Sequence, residues 1–237
     1  MAKRKHGISR GRGRRVWALV KGFALWFFVI TFLWVLIYRF VNPPITWLMV
    51  QRNIERKVDG KKPQIVQNWK SYEQLSTNLK RAAIAGEDAH FMTHWGFDMA
   101  AMQKAYQRNQ HGKKIRGGST ITQQTAKNVF LWPGRSYIRK VFEAYFTVLI
   151  ELLWGKERIL EVYLNVIEMG DGIYGAEAAT QYYYHKPSKA LTRQQAALLI
   201  AVLPNPLRWS PAKPTRYIYY KQQLILRNMY RLRRLPL

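Results

Sequence analysis

The most apolar stretch of the chain lies near its N-terminus. From Gly22 to Tyr38 there are seventeen uncharged residues, mostly Leu, Phe, Trp, Val and Ile. This is the lower end of the ~17–25 residues with which a helix spans a bilayer. Lys21 can extend its ammonium to the lipid headgroups. Residues 16–41 are therefore predicted to form one transmembrane helix. A cleaved signal peptide and a buried core helix are the alternatives, and no small-residue cleavage site follows the run.

A proline pair ends this apolar run, and one domain is predicted after it. Pro43 and Pro44 cannot continue a helix. Residues 45–60 change from apolar to basic, which is typical of a segment that stays close to a lipid surface. No internal repeat or long low-complexity linker interrupts the remaining sequence. Residues 42–237 are therefore predicted to form a single domain.

Helical periodicity dominates this domain. Residues 79–87 are predicted to form one helix, and residues 196–203 a buried helix of small residues that stops at Pro204. Strand-like alternation is scarce, and the pattern leaves open whether extended residues near Ile65 pair with anything. The predicted fold class is mainly α. An amphipathic helix is also predicted from a stripe at helical spacing: Ile159, Leu160, Tyr163, Leu164 and Ile167.

The charge of the chain is strongly positive. There are 39 Lys and Arg against 13 Asp and Glu, a net charge of +26. Such an excess implies an anionic partner, namely nucleic acid, an acidic membrane surface or a phosphorylated substrate. Residues 1–15 contain seven cations and no acid, so they are predicted to be a cytoplasmic leader. The domain that follows the membrane helix is then predicted to lie on the opposite side of the membrane. Cysteine is absent, which excludes disulfides, thiolate nucleophiles and cysteine-ligated zinc.

Two adjacent carboxylates, Glu87 and Asp88, follow a small and apolar helical segment, residues 82–86. Partial burial there would raise the pKa of Glu87 toward neutrality, as a general base requires. His94 and its aromatic neighbours would exclude water. A Glu-Asp pair at a helix end is also commonly a solvated or capping pair, and these residues alone leave both interpretations open.

Residues 117–128, GGSTITQQTAKN, combine a glycine turn, hydroxyls, amides and a cation. Thr120 and Gln123 match a capping box, and the N-terminus of the helix that they open would attract an anion. Gln124 and Lys127 share a face with Thr120. The segment therefore predicts either a cradle for a diphosphate or a sugar, or a well-capped surface helix. It is not a nucleotide P-loop, because the terminal Gly-Lys-Ser/Thr is missing.

A third group, Arg139, Lys140 and Glu143, lies at helical spacing in the segment RKVFE. It is either an ordinary intrahelical ion pair, worth only ~0.2–0.5 kcal/mol, or part of an anion site.

In their order along the chain, several segments resemble the peptidoglycan glycosyltransferase family. The resemblance covers about residues 65–232 and implies a lysozyme-like, mostly helical head with a small membrane-associated jaw. One departure is Gln195, where relatives often carry Glu, in a helix that serves packing. The matching segments are EDAHFMTHWGFD, GGSTITQQTAKN, RKVFE, KERILEVYLN, GIYGAEAA and AALLIAVLPNP.

The resemblance implies that the protein polymerises lipid II into β-1,4-linked glycan strands with inversion and releases undecaprenyl diphosphate. Glu87 would be the general base. Glu143 would be the second catalytic acid, which either positions the neighbouring cations or holds a divalent metal ion such as Mg²⁺. No organic cofactor is implied. The substrate-binding residues implied are Asp88, His94, Ser119, Thr120, Gln123, Gln124, Lys127, Asn128, Arg139 and Lys140.

The implied partners are lipid II, the growing glycan strand, membrane lipid, and cell-division or elongation proteins, without nucleic acid. The implied location is the bacterial inner membrane, with one membrane pass, a cytoplasmic N-terminus and a periplasmic catalytic domain.

Two other functions stay open. A lytic transglycosylase or muramidase would cleave glycan and would use one Glu as an acid. A membrane-tethered protein that binds nucleic acid or another anionic polymer would use the basic leader and the C-terminal arginines, although no nucleic-acid motif is recognisable. These arginines are Arg227, Arg231, Arg233 and Arg234.

Overall fold

The chain divides into two compact units, residues 1–41 and 42–237. Most of the basic leader, Gly117 and the arginines at 233 and 234 lie outside the residues that the structure describes. The computed structural model describes three stretches, residues 10–111, 118–134 and 136–232.

The first unit contains helix α1, Arg10–Phe40. Its segment Gly13–Phe40 is 28 residues long, and the mean hydropathy reaches 2.2. At 1.5 Å per residue this segment extends about 42 Å, more than the ~30 Å of a bilayer core. Among the described residues it is the one helix long and apolar enough to cross a membrane. The predicted apolar helix is confirmed, and it begins before residue 16 because the basic residues there are good helix formers.

The second unit is built mainly from helices, which confirms the predicted fold class. Two single-turn 3₁₀ helices, Tyr72–Gln74 and Ser188–Ala190, lie between the longer ones. The α-helices are α2 (Trp47–Val58), α3 (Thr77–Glu87), α4 (Met99–His111), α5 (Ile121–Phe130), α6 (Tyr137–Leu153), α7 (Lys156–Val166), α8 (Ala176–Tyr184), α9 (Arg193–Ala201) and α10 (Arg216–Arg231).

A small sheet joins distant parts of this unit. Its strands are β1 (Val66–Gln67), β2 (Glu168–Gly170) and β3 (Ile173–Tyr174), in the order β1-β3-β2. β1 runs parallel to β3, and β2 runs antiparallel to it. Gly172 has a φ of 71° in the turn between β2 and β3, a conformation that favours glycine. The residues next to Ile65 therefore do pair.

Asn165, at the end of α7, ties the segment after β1 to that helix. Its amide nitrogen donates to the carbonyls of Lys70 and Glu161, both at 2.8 Å. Its Oδ1 accepts from the backbone N–H of Lys70 at 2.9 Å. The side chain of Gln67 donates to the carbonyl of Asn165 at 2.8 Å. Because Asn165 is fully buried, these bonds fix the path of the chain past β1.

The core has two helical groups: α3 packs against α9 and α10, and α5 packs against α6 and α7. Helix α7 is buried more completely than predicted. Ile159, Leu160 and residues 162–166 are all buried, and the charged residues of α7 lie between residues 156 and 161. The predicted helix and its buried apolar stripe are confirmed, and neighbouring elements cover more of α7 than the stripe alone.

Helix α2 is held to the sheet region at two points. Arg52 Nε lies 3.2 Å from Glu168 Oε1, and Arg56 Nη1 lies 2.5 Å from Asp171 Oδ2. Burial raises the pKa of Glu168, and the charge of Arg52 opposes this shift. These two ion pairs attach the helix to β2 and to the turn after it.

Replacing Asn165 by alanine is expected to lower the free energy of unfolding by about 2–4 kcal/mol, because buried backbone groups lose their partners. The measurement is urea unfolding of the full chain in detergent, followed by tryptophan fluorescence. Asn78→Ala is the control, since Asn78 makes one hydrogen bond, to the carbonyl of Leu191, and is expected to cost about 1 kcal/mol. Equal midpoints for the two variants would contradict this assignment.

Candidate active site

Glu87 is the last residue of α3, after the buried residues 82–85. Its carboxylate is half-buried, and Oε2 accepts from Gln124 Nε2 at 3.0 Å. Burial raises the pKa of Glu87, while the Gln124 hydrogen bond and the charges of Lys221 and Lys127 oppose the rise. The pKa shift has the predicted direction, and a carboxylate with a raised pKa is a better proton acceptor.

A cavity of about 310 Å³ opens beside Glu87. This volume is at the lower end of the range for small-molecule sites. The cavity lies between residues 87–90, the first half of α4 and residues 118–120. Four alanines on its walls leave the space open, and the exposed Ser119 and Lys104 offer polar groups to an occupant. The cavity therefore gives the Glu87 carboxylate room for a sugar-sized molecule.

Asp88 is buried and linked to two different segments. His94 Nε2 lies 2.9 Å from both carboxylate oxygens, and the backbone N–H of Ile121 donates to Oδ2 at 3.0 Å. Burial raises the pKa of Asp88, and the hydrogen bond with His94 opposes this shift. The anion at the N-terminus of α5 is thus a carboxylate of the chain itself. Asp88 thereby connects His94 to the start of α5, and substrate contact by Asp88 and His94 stays a prediction.

The predicted capping box at the start of α5 is confirmed. The N–H of Gln123 donates to Thr120 Oγ1 at 3.2 Å, and the N–H of Thr120 donates to Gln123 Oε1 at 3.0 Å. The Thr120 hydroxyl also donates to the carbonyl of Gly96 at 2.6 Å. Both side chains are buried. They stabilise the start of the helix, Thr120 also lines the cavity, and substrate contact by either residue stays a prediction.

Gln124 links Glu87 to the core. While its Nε2 donates to Glu87, its Oε1 accepts from the Tyr163 hydroxyl at 3.4 Å. Tyr163 is fully buried on α7. Burial raises the pKa of Tyr163 well above its ordinary value, and the charges of Glu87 and Asp88 add to the rise. Tyr163 therefore stays protonated and holds the amide in the orientation that donates to Glu87.

Lys127, in the last turn of α5, interacts with the charge of Glu87 and with the charges of the α6 residues. Burial lowers its pKa, the charge of Glu143 opposes that shift, and Arg139 and Lys140 reinforce it. The charge of Glu87 also acts on Lys127. Within the described stretches its ammonium makes no hydrogen bond or ion pair. Lys127 thus lies between the Glu87 carboxylate and the cations of α6, with its own charge available to a ligand.

Arg139, Lys140 and Glu143 form a cluster on the first turns of α6. Arg139 Nη1 lies 3.4 Å from Glu143 Oε2, and Lys140 forms an ion pair with the other oxygen. Glu143 is only 3% exposed, whereas half of the Lys140 side chain is exposed. Arg139 Nε is buried and has no hydrogen-bond partner among the described residues. The predicted intrahelical ion pairs are confirmed. Because the cluster has two cations and one acid, its net charge is positive.

The partners of the Glu143 carboxylate bear on the metal site that was predicted there. Both of its carboxylate oxygens already face cations. In the part of the chain that the structure describes, no three His, Asp or Glu side chains come close enough to hold a metal ion together. In this structure Glu143 thus pairs with Arg139 and Lys140, and a divalent cation at Glu143 stays a prediction.

Comparison with known proteins identifies the family. Residues 54–230 match the sequence model of the family described as transglycosylase. The chain belongs to this family. Over 208 residues it is 50% identical to the biosynthetic peptidoglycan transglycosylase of Pseudomonas putida, covering 88% of each chain. It is 51% identical to that of Pseudomonas fluorescens, covering 88% of this chain and 87% of the relative, and 50% identical to that of Pseudomonas syringae pv. tomato, covering 88% of each.

Ser119 and Asn128 complete the predicted set of this transglycosylase. Ser119 is exposed on the cavity wall, while Asn128 is buried on α5 next to Lys127. The structure thus brings together Glu87, Gln124 and Lys127. Substrate contacts by Ser119 and Asn128 stay predictions.

Sequence reasoning missed Lys221 and a buried network behind α5. The Thr122 hydroxyl donates to Glu151 Oε1 at 2.6 Å, and Lys156 Nζ reaches the same oxygen at 2.7 Å and the His94 carbonyl at 2.7 Å. A lone acid in the apolar run around Glu151 was a usable signal, because a buried carboxylate needs a partner. No local signal distinguishes Lys221.

Asp88→Ala is expected to lower the free energy of unfolding by about 3 kcal/mol, because His94 and the N-terminus of α5 lose a buried charged partner. Thermal or urea unfolding of the full chain in detergent measures this. Asp59→Ala is the matched control: its carboxylate is exposed and lies 3.8 Å from Lys61, so we expect a change within about 0.5 kcal/mol. A stable Asp88→Ala protein would remove the support role.

Proposed function

We propose that this transglycosylase polymerises lipid II into the β-1,4-linked glycan strands of peptidoglycan and releases undecaprenyl diphosphate. Its family and the names of its relatives support this activity. The observation that carries the proposal is the position of Lys127, a cation within electrostatic reach of both the Glu87 carboxylate and the α6 cluster. A proton acceptor and an anion site are the two requirements of this transfer.

In the proposed step, Glu87 accepts the proton of the 4-hydroxyl of the acceptor's terminal N-acetylglucosamine. The oxygen forms a bond to the anomeric carbon of the donor's N-acetylmuramic acid. The bond from that carbon to the diphosphate oxygen breaks, and its electron pair leaves with the lipid diphosphate. Attack from the opposite face converts the α-linked donor into a β-linked product. The half-buried carboxylate beside a sugar-sized cavity supports this role for Glu87.

The leaving diphosphate is already an anion, so its charge must be stabilised more than it must be protonated. Lys127, Arg139 and Lys140 would bind its oxygens. Among the described residues, Arg139 Nε and the Lys127 ammonium have no hydrogen-bond partner, which supports this assignment. Glu143 would hold the two α6 cations in place, and its buried charge would limit their mutual repulsion.

An outward apolar stripe on α6 supports a position at the membrane surface. Ile138, Val141, Val148 and Leu152 are between 47% and 69% exposed and recur at helical spacing. They lie on the helix that carries the diphosphate-binding cations, so both would sit at headgroup depth. We therefore place the protein in the bacterial inner membrane with a single pass, a cytoplasmic N-terminus and a periplasmic catalytic unit. Cell-division or elongation proteins stay predicted partners.

Glu87→Gln is expected to reduce the initial rate of polymerisation by at least about 10², because glutamine cannot accept the proton at this position. The assay incubates the full chain in detergent with labelled lipid II and separates the products on a gel. Glu73→Gln is the control, since Glu73 is exposed and lies outside the cavity; we expect a normal rate. Near-normal turnover by Glu87→Gln would exclude it as the base. Soluble fragments from sacculi, without polymer from lipid II, would instead indicate a glycan-cleaving enzyme.

The rate is expected to fall as the pH is lowered, with a midpoint above the ordinary glutamate pKa, because Glu87 works only when ionised and burial raises its pKa. Lys221→Ala removes a cation that stabilises the ionised form, so it should move the midpoint to higher pH. Initial rates measured from pH 5 to pH 9 check both expectations. An unchanged midpoint in Lys221→Ala would contradict the coupling.

A further inference from the structure

The last quarter of the sequence carries no acid at all. Glu177 is the final Asp or Glu of the chain, and residues 178–237 contain eleven Lys and Arg. This segment includes α9, α10 and the loop between them. A long stretch with one sign of charge is suited to a polyanion, and the diphosphate site proposed above uses none of its residues.

Helix α10 leads directly to the proposed base. The Asn228 side chain donates to the carbonyl of Ala85 at 3.1 Å. One turn earlier, Ile225 packs at Gly86, where an added Cβ would lie 3.2 Å from its Cδ1. One further turn back is Lys221. The two helices thus approach residue by residue, so that Lys221 faces the end of α3 where Glu87 stands.

The electrostatic surroundings of Lys221 agree with this geometry. Burial lowers the pKa of Lys221, and the negative charge of Glu87 opposes the shift. By contrast, Lys127 interacts with both Glu87 and the α6 cluster. Lys221 is carried by α10, which packs against α3 and α9, whereas the proposed diphosphate cations are carried by α5 and α6.

An aromatic pair continues this face of α10. Tyr217 precedes Lys221 by one turn, about 6 Å along the helix. Its ring centroid lies 5.4 Å from that of Trp209, with an angle of 45° between the rings. Tyr217 is 51% exposed. Arg208 and Arg216 adjoin the two aromatic residues in the sequence, and both are exposed.

We propose that Trp209 and Tyr217 form a sugar-binding subsite for a glycan strand that carries acidic peptides, with Arg208 and Arg216 binding carboxylates of those peptides. The proposal rests on the proposed function. The C–H groups of a pyranose ring pack against the electron-rich face of an aromatic ring. The acid-free segment that carries the pair complements the peptide carboxylates, and Tyr217 lies one turn before Lys221, the cation that faces Glu87.

The chemistry of this surface favours a glycan over a bilayer. The outward stripe of α6 is aliphatic, as lipid contact requires. The exposed face of α10 instead carries tyrosines, Gln223 and arginines, which keep hydrogen-bonding groups at the surface. A sugar strand offers hydroxyls to these groups, whereas an acyl chain offers none.

The test measures strand binding without turnover. The full-length Glu87→Gln protein in detergent is titrated with fluorescently labelled, lipid-free peptidoglycan strands, once with their peptides and once after an amidase has removed them. Adding Tyr217→Ala is expected to weaken binding of both probes about fivefold, while Tyr217→Phe retains it. Arg208→Ala with Arg216→Ala should weaken only the binding of the peptide-bearing strands.

Tyr219→Ala is the matched control, since Tyr219 is also 51% exposed but lies on the other flank of α10. Equal losses in Tyr217→Ala and Tyr219→Ala, or no loss in either at an unchanged melting temperature, would overturn the subsite. A defect in binding anionic vesicles with normal strand binding would overturn it in favour of a lipid surface. Failure of the wild-type chain to polymerise lipid II would reject the proposed function, whereas the strand titration does not depend on turnover.

Discussion

The buried carboxylate of Asp88 is the interaction on which the site depends. It follows Glu87 directly, and it binds both His94 and the first N–H of α5. Gln124 stands one turn further along that helix. A single charged group therefore sets the separation between the proposed base and the amide that donates to it. The cost of burying this charge is offset by its partners, which is why the arrangement is rigid.

The site contains both paired and unpaired opposite charges: Glu143 forms ion pairs with cations, whereas Glu87 accepts a hydrogen bond from an amide. Burial raises the pKa of Glu87, and the hydrogen bond from the Gln124 amide opposes this rise. Glu143 is the acid that pairs tightly with cations. In the described part of the chain, Lys127 interacts with the charges of both carboxylates but forms no direct ion pair, so its charge is available to an incoming anion.

Local rules predicted the parts of this structure that depend on neighbouring residues. The capping box of Thr120 and Gln123 follows from four positions in a row, and the raised pKa of Glu87 follows from the small residues before it. The apolar helix α1 is equally local. The motif alone could not show that Asp88, 33 residues before Ile121, occupies the start of α5, because only the packed fold decides which anion arrives there. The approach of Lys221 to Glu87 likewise depends on how α10 packs against α3.

Two arginines on successive turns fasten α2 to β2 and its turn, so this helix can neither roll nor slide by itself. The short sheet continues to β1, where the Asn165 bonds lead into α7 and so to Tyr163. A mechanical load on residues 47–58 therefore has a continuous path of hydrogen bonds and ion pairs to the phenol that orients Gln124. A displacement of α2 relative to the sheet would therefore reach Tyr163 and, through Gln124, the carboxylate of Glu87.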